Sequence, residues 1–464
     1  MANTMLRLFD SYRPWGRREF LRIGGGMIGG LLAGHGALAS GSKPLVTGKS
    51  VILLFLHGGP SQFETFDPKM SAPADIRSAT GETATKLPGV TFGATFPKLA
   101  QLADRLAIVR SFATGDANHD IKPVVGRDTH GANLGTLYAR VAGANDAQTG
   151  MPRNVLLFPR AVDPTTGPHI TTFGRFEATG TLGDGLVPFI PGAGSDLQQD
   201  LQLTLPLDRL HDRRAVLTQL DRARWTLDKR SRGDAIDPIQ QQAFSTILGG
   251  VVARAFDLSR QDSRTLERYD TAPLVRPDQI DSKWKNYPHY VDNAKSLGKL
   301  LLLARCLCET GCGFVTVTTS FVWDMHADVN NAGVAEGMRY MGPPLDHAVA
   351  ALVEDLAQRG LDERILLVCC GEMGRTPRLN AAGGRDHWGE LAPLLLAGGG
   401  LRMGQVIGKS TRDGAQPQTE PVRIQHLVAT VLQTLLNPGE LRTARGIPSE
   451  VVEAATADPI TGLA

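Results

Sequence analysis

Continuous apolar runs alternate along the chain with segments whose apolar residues recur at helical spacing. The runs at 51–56 and 365–370 lack the polar alternation of half-exposed strands, which is typical of strands buried on both faces of a parallel sheet. In the segment that ends at Gly360, Leu345 and Val349 fall on one helix face. Further strand-like runs lie at 106–111, 154–158, 314–320 and 391–397. Further helical segments lie at 96–104, up to Cys308, and at 424–436. The pattern predicts an α/β fold with a mostly parallel central sheet flanked by helices.

The middle of the chain has a different pattern. Residues 160–195 are rich in Gly, Pro and Thr and indicate a loop, whereas residues 207–232 are highly charged with apolar positions at helical spacing. A second helical pattern covers 243–258. We therefore expect a helical and loop insertion, or cap, at about 160–285 within one α/β domain at 40–464.

Composition places the chain among ordinary globular proteins. It has 464 residues, of which 42% are apolar and 21% are charged, and this length allows a large core. The net charge is +2, and no basic stripe with interleaved aromatic residues appears, so nucleic-acid binding is not expected. All five cysteines lie at or after Cys306, which excludes a disulfide framework through the whole chain.

The N-terminus predicts export. Arg17 and Arg18 precede a glycine-rich apolar run at 23–38, and Ala37 and Ala39 offer a small-residue cleavage site. This order is typical of a twin-arginine signal peptide, here residues 1–39, and implies export by the twin-arginine machinery to the periplasm or another extracytoplasmic location. The apolar run is too short and glycine-rich for a stable membrane span, and none is expected in the mature chain. An ordinary basic N-terminus beside a Gly/Ala linker is the alternative.

Acids and histidines recur just after four predicted strands. Because parallel strands end at one edge of a sheet, these loops are expected to converge there. The residues in question are His57, Ser61, Glu64 and Asp67; Ser111, Asp116, His119 and Asp120; Asp324, His326 and Asp328; and Glu372, Arg375, Asp386 and His387.

A divalent metal site is the chemistry that this convergence suggests. Carboxylates together with neutral imidazoles bind zinc or manganese, whereas carboxylates alone favour magnesium or calcium. Arg375 could hold an anionic ester group through paired hydrogen bonds, with His119 as a second substrate contact. The alternatives are a structural bridge between Arg375 and Glu372 and an ordinary loop histidine at His119. The predicted metal ligands are Asp324, His326, Glu372, Asp386 and His387.

Several motifs resemble those of a bacterial exported family known as domain of unknown function 1501. They are HGGPSQFETFDPK at 57–69, AIVRS at 107–111, WDMHAD at 323–328, GEMGRTP at 371–377, GRDHW at 384–388 and LLAGGGLRMGQVIG at 395–408. The resemblance covers almost the whole mature chain. It implies the α/β core of the alkaline phosphatase and sulfatase superfamily, with one or two metals at the strand ends.

The resemblance also implies roles for individual residues. Glu372 stands where an acidic metal ligand follows a strand, and His387 stands where a later histidine contacts metal or substrate. His57 replaces the aspartate that ends the first strand in the superfamily, and the sulfatase nucleophile pattern is absent. Ser61 and Ser111 are the remaining candidates for a catalytic serine.

Two functions follow. One is an exported metal-dependent hydrolase of phosphate or sulfate esters. The alternative is a non-catalytic periplasmic or surface protein, with a binding or structural role, that retains the fold without the nucleophile.

Overall fold

The computed structural model describes residues 43–192 and 250–463. The predicted signal peptide at 1–39 and the predicted helix at 207–232 lie outside these residues. The strands of the described part are, in chain order, β1 (Ser50–Phe55), β2 (Glu82–Ala84), β3 (Thr91–Gly93), β4 (Ala107–Val109), β5 (Phe112–Ala113), β6 (Asn154–Leu157), β7 (Phe314–Thr318), β8 (Ile365–Cys370), β9 (Gly374–Arg375), β10 (His387–Trp388), β11 (Leu394–Gly398), β12 (Gln405–Ile407) and β13 (Val422–Arg423).

The α-helices lie mainly between and after the strands of the central sheet. In the same described part they are α1 (Pro97–Gln101), α2 (Leu134–Ala142), α3 (Gly250–Phe256), α4 (Ser263–Tyr269), α5 (Tyr287–Glu309), α6 (Val334–Gln358), α7 (Ile424–Leu435), α8 (Pro438–Leu441) and α9 (Ser449–Thr456). None of the described helices combines the length and apolar character needed to cross a bilayer.

A seven-stranded sheet forms the centre of the fold, with the order β12-β4-β11-β8-β1-β7-β6. Neighbouring strands pair in parallel except around β11, which runs antiparallel to both β4 and β8. The predicted α/β fold with a mostly parallel sheet is therefore confirmed. Because β4, β8, β1 and β7 share one direction, the loops that follow them begin at one sheet edge.

Alternate residues of β1 enter two separate cores. Ile52 and Leu54 belong to the cluster that contains α5 and α6, whereas Val51, Leu53 and Phe55 belong to the cluster that contains α2, α7 and α9. All five side chains are fully buried. Burial of one such side chain contributes about 1.5–3 kcal/mol to folding, so continuous rather than alternating hydrophobicity is what a strand between two helical layers requires.

Helix α6 begins well before the segment that its sequence pattern marked. The pattern starts at Leu345, but the helix begins at Val334 and includes Pro343 and Pro344. Proline lacks the N–H group of a helical hydrogen bond and normally ends a helix. Here tertiary packing overrides that preference, since the buried residues before the prolines, such as Met338 and Met341, belong to the same core as α5.

The described flanks of the predicted insertion pack on both sides of the sheet: Phe176 is buried in the core of α2, α7 and α9, whereas α3 and α4 pack in the core of α5 and α6. Residues 160–192 form loops and short 3₁₀ turns, and α3 and α4 follow after residue 249. Tyr269 at the end of α4 donates its hydroxyl to Asp355 Oδ2 of α6 at 3.0 Å. Val252 of α3 is buried in the same core. The extent of the insertion stays a prediction.

Candidate metal site

Four side chains meet at one point beside the sheet edge. They are His119, Asp324, His326 and His387, and one ligand atom from each lies within 4.8 Å of the others. Asp324 Oδ1 lies 2.9 Å from His326 Nε2 and 3.3 Å from the Nε2 atoms of His119 and His387. The Nε2 atoms of His326 and His387 are 2.8 Å apart. Three imidazole nitrogens and one carboxylate oxygen therefore converge.

Three loops at the same sheet edge supply these residues. His119 lies in the loop after β4 and β5, and Asp324 and His326 lie after β7. His387 belongs to β10, which pairs with β9 after β8 so that His387 is opposite Arg375. The parallel direction of β4, β7 and β8 is thus what brings residues from distant parts of the sequence together.

Glycines allow these loops to approach one another closely. Gly58 follows β1 with φ +115°, and a Cβ atom there would lie 2.7 Å from the Asp324 nitrogen and 2.8 Å from the Trp323 nitrogen. A Cβ on Gly384 would overlap the backbone carbonyl of His326. A side chain at either position would displace the loop that carries Asp324 and His326.

Two carboxylates lie behind the histidines and orient them. Glu372 Oε1 accepts a hydrogen bond from His119 Nδ1 at 3.0 Å and from the Gly58 N–H at 2.9 Å. Asp386 Oδ1 accepts from His326 Nδ1 at 3.0 Å. Because a carboxylate only accepts, Nδ1 of each ring carries the proton, and in a neutral ring Nε2 then presents its lone pair. Glu372 and Asp386, which the sequence predicts as metal ligands, are not among the four converging residues and contact His119 and His326 from behind, so their role as ligands stays a prediction.

Arg375 is enclosed and holds Asp324. Its side chain is 1% exposed, and Nη2 donates to Asp324 Oδ1 at 2.6 Å. Nε donates to the Gly59 carbonyl at 2.7 Å, Nη2 also reaches the Gly58 carbonyl, and Nη1 donates to the Arg385 carbonyl at 3.2 Å. The ion pair of Arg375 is with Asp324 and not with Glu372. This geometry gives Arg375 a positioning role, with every guanidinium nitrogen donating to a protein acceptor.

The electrostatics centre on the Asp324 carboxylate. Burial opposes its ionisation, but its contacts with His119, His326 and His387 and the charge of Arg375 outweigh burial and hold the pKa of Asp324 well below its usual value of 3.8. Burial lowers the pKa of His119, yet its contacts with Asp324 and Glu372 outweigh that effect and raise it. The hydrogen bond to Asp324 raises the pKa of His326.

His57 stands at the end of β1, where the resemblance implies an aspartate. It is 2% exposed, and its ring makes edge contacts with Phe321 at 4.9 Å and Phe176 at 5.8 Å. Its Nε2 atom makes no hydrogen bond. Burial lowers the pKa of His57 from its usual 6.5, so the ring is neutral at physiological pH. His57 borders the site without belonging to the four converging residues.

Ser61 and Ser111 both lie in buried positions outside the set of four. The Ser61 hydroxyl donates to Glu64 Oε2. Ser111 is fully buried, and its Oγ makes no hydrogen bond. His119, in contrast, was expected to contact substrate and is one of the four. Its position after a strand, like that of His326, was the sequence signal for this role.

A second buried ion pair fixes the loop that carries His387. Arg385 Nη2 lies 3.1 Å from Glu64 Oε1, and both side chains are 0% exposed. Arg385 also donates to the carbonyls of Thr376, Pro377, Ile76 and Arg77. The charges of Glu64 and Arg385 are therefore satisfied by protein groups alone.

The four converging residues suit a divalent transition metal. His119 Nε2 and Glu372 Oε2 are buried polar atoms that make no hydrogen bond, although His119 Nε2 lies 3.3 Å from Asp324 Oδ1. Buried polar atoms are normally paired, and an ion bound among the four residues would supply a partner for His119 Nε2. Imidazole nitrogens with one carboxylate favour zinc or manganese over magnesium or calcium, which prefer oxygen ligands.

Comparison with known proteins identifies the family. The chain belongs to the family described as "Protein of unknown function (DUF1501)", whose pattern matches residues 48–461. The resemblance inferred from the motifs is thus confirmed. No curated protein matches the chain in sequence.

Solved structures similar to this chain include three bacterial enzymes. A sulfatase from Pseudoalteromonas sp. is 12% identical, with 83% of this chain and 67% of that chain covered and a TM-score of 0.37. The phosphonate monoester hydrolase of Agrobacterium radiobacter is 12% identical, with coverages of 84% and 74% and a TM-score of 0.29. An alkaline phosphatase from the Antarctic bacterium TAB5 is 11% identical, with coverages of 84% and 99% and a TM-score of 0.26.

Proposed function

We propose that this protein is a metal-dependent hydrolase of phosphate or sulfate esters. The observation that carries the proposal is the convergence of His119, Asp324, His326 and His387 within 4.8 Å. The carboxylates behind His119 and His326 support it, because hydrogen bonds of this kind fix the tautomer and direction of metal-binding imidazoles.

The site opens to solvent on the side of His387. Side-chain exposure rises from 12% at His119 to 31% at His387 and 59% at Asp386. A closed structural metal site would not need this opening, whereas a site that receives an ester would. A divalent cation bound there would polarise an ester oxygen and lower the pKa of a water molecule. Asp324, held by Arg375, would keep its oxygen directed at the same point.

Water is the nucleophile that the enclosed side chains favour. The Ser61 hydroxyl donates to Glu64, and Ser111 is fully buried. The cysteines of the described chain are all buried, and burial raises the pKa of Cys370 to about 12, so its thiol stays protonated. We therefore expect water to attack phosphorus or sulfur directly, with the alcohol of the ester as the leaving group.

The test is metal content together with turnover. The purified mature protein is analysed for bound metals and assayed with aryl phosphates and aryl sulfates. We expect bound zinc or manganese and ester hydrolysis, both lost in His387→Ala. The matched control is His130→Asn, because His130 is a partly exposed histidine 3.9 Å from Glu453 Oε2 with φ +53°, which asparagine tolerates. Absence of bound metal, or activity of His387→Ala equal to that of the parent protein, would contradict the proposal.

A second candidate function is a metal-dependent binding protein without turnover. Two observations favour it: the serines are enclosed, and Arg375 donates to protein acceptors rather than to an open face. The same experiment separates the two functions. Bound metal that disappears in His387→Ala, without hydrolysis of any ester, would support the binding protein.

We also propose export by the twin-arginine machinery to the periplasm or another extracytoplasmic location. The support is the order of Arg17 and Arg18, a short apolar run and a small-residue cleavage site. Replacement of Arg17 and Arg18 by lysines should retain the protein in the cytoplasm. Arg22→Lys, which alters a nearby arginine outside the pair, is the control. Export of the Lys–Lys variant at the normal level would contradict the proposal.

A further inference from the structure

The charges around the candidate metal site are balanced before any substrate arrives. Asp324, Glu372 and Asp386 supply three carboxylates that bind to, or lie directly behind, the converging histidines. A divalent cation together with Arg375 supplies an equal positive charge. The histidines are neutral when they act as ligands. The metal-loaded site therefore has no net positive charge left over.

Arg375 and Lys122, two cations on the loops of the site, are already paired. In residues 43–192 and 250–463, Arg375 is the one arginine or lysine that contacts any of the four converging side chains, and it is enclosed. Lys122 lies on the loop that carries His119, but its Nζ is 2.7 Å from Asp116 Oδ1 and 3.0 Å from Asp120 Oδ1. Both of these acids are about half exposed, so they add negative charge to the surface of that loop.

From this balance we infer that the site selects esters with one negative charge over esters with two. Sulfate monoesters and phosphate diesters carry one charge, whereas a phosphate monoester carries nearly two at neutral pH. The second negative charge of a phosphate monoester would have no unpaired positive charge to interact with. In a partly enclosed site, that uncompensated charge weakens binding of the ester. This inference rests on the metal site of the proposed function and narrows its substrate class.

The direct test uses two inhibitors of nearly equal shape and different charge. Benzenesulfonate carries one negative charge, and phenylphosphonate carries two at about pH 8, above the second pKa of about 6 typical of phosphate groups. Binding of each to the zinc- or manganese-loaded protein is measured by calorimetry and by inhibition. We expect benzenesulfonate to bind at least about tenfold more tightly, which corresponds to about 1.4 kcal/mol.

Charge variants provide the second measurement. Asp386→Asn keeps an oxygen that can accept from His326 but removes one charge at an exposed position. The preference for benzenesulfonate should fall by about tenfold. The combined change Asp116→Asn with Asp120→Asn should shift the preference in the same direction, because it frees Lys122. Asp104→Asn is the control, because Asp104 pairs with Lys86 just before β4 begins, at the opposite edge of the sheet.

Each outcome has a defined meaning. Equal or tighter binding of phenylphosphonate, or failure of both probes to bind, overturns the inference. A preference that does not change in either charge variant also overturns it. Preferential binding of benzenesulfonate without hydrolysis of any ester supports the charge selection, and in that case it is the proposed hydrolase activity that fails.

Discussion

Two arginines in the segment between β8 and β11 form buried ion pairs that differ in how completely their partners are satisfied. Arg385 pairs with Glu64, which also accepts from the Ser61 hydroxyl and, at 3.0 Å, from the Ala79 N–H. This acid has protein donors for both oxygens. A pair of this kind fixes the conformation of the loop and leaves no carboxylate oxygen free to bind a ligand.

Arg375 forms the other pair, and its acid has a different environment. Asp324 accepts from Arg375 at 2.6 Å, but the same oxygen also faces three imidazole nitrogens, and His119 Nε2 makes no hydrogen bond. The comparison teaches that burial and ion pairing alone do not mark a functional site. The convergence of several ligand atoms on one point does, because a bound cation would satisfy them together, including His119 Nε2, which has no donor.

The largest effect is expected from the Glu64–Arg385 pair, and it is an effect on stability. Glu64→Gln leaves the Arg385 charge buried without its carboxylate, which costs about 3–5 kcal/mol for a buried pair. Urea unfolding measures the loss. The folded fraction should still bind metal. A loss below about 1 kcal/mol would show that the carbonyls around Arg385 suffice without Glu64.

The next effect is expected from Asp324→Asn, and it is an effect on metal binding. Partners behind a metal ligand contribute about 10–100-fold to affinity, so replacing the ligand carboxylate by a neutral amide, which removes its negative charge, should weaken affinity by more than about 100-fold. Competition with a chelator measures it, with His130→Asn as the control. Affinity within about threefold of the parent protein would remove Asp324 from the ligand set.

A smaller effect is expected from the two carboxylates behind the histidines. Glu372→Gln and Asp386→Asn should each weaken metal binding by about 10–100-fold. Glu372→Gln should have the larger effect, because Glu372 is fully buried and also accepts from the Gly58 N–H. Equal or reversed effects in the same chelator titration would contradict the assigned contacts.

The smallest effect is expected from pH. The raised pKa values of His119 and His326 mean that protons compete with metal above pH 6.5, so affinity should rise with pH, by less than about tenfold between pH 7 and 8. In the metal-free protein the free energy of unfolding falls as pH rises, opposite to the trend in metal affinity. The charged histidines stabilise the fold below pH 6.5, and this stability is lost as pH rises through their raised pKa values. Thermal unfolding measured across this pH range, with and without metal, checks both trends. A midpoint temperature that depends on pH in the same way in both forms would contradict them.

The sequence was sufficient to predict the sheet and the convergence of loops. Continuous apolar runs marked β1, β7 and β8 because both faces of these strands are covered, and the parallel direction then placed their loops at one edge. The direction of β11 was not predictable in this way. Its apolar run has the same composition whether it pairs parallel or antiparallel with its neighbours.

The separate roles of the acids in the site were also not predictable from the sequence. Asp324, Glu372 and Asp386 all follow strands, and nothing in their order distinguishes a ligand from an acid that orients a histidine. That distinction depends on which nitrogen of His119 and His326 faces each acid, and so on three-dimensional packing.

Metal stoichiometry in the purified mature protein and in two matched variants tests the central claim most directly. We predict about one zinc or manganese ion per chain in the parent protein, loss of that ion in Asp324→Asn, and its retention in the folded fraction of Glu64→Gln. A parent protein without metal, or an Asp324→Asn variant that retains it, would contradict the assignment of the four converging residues as a metal site.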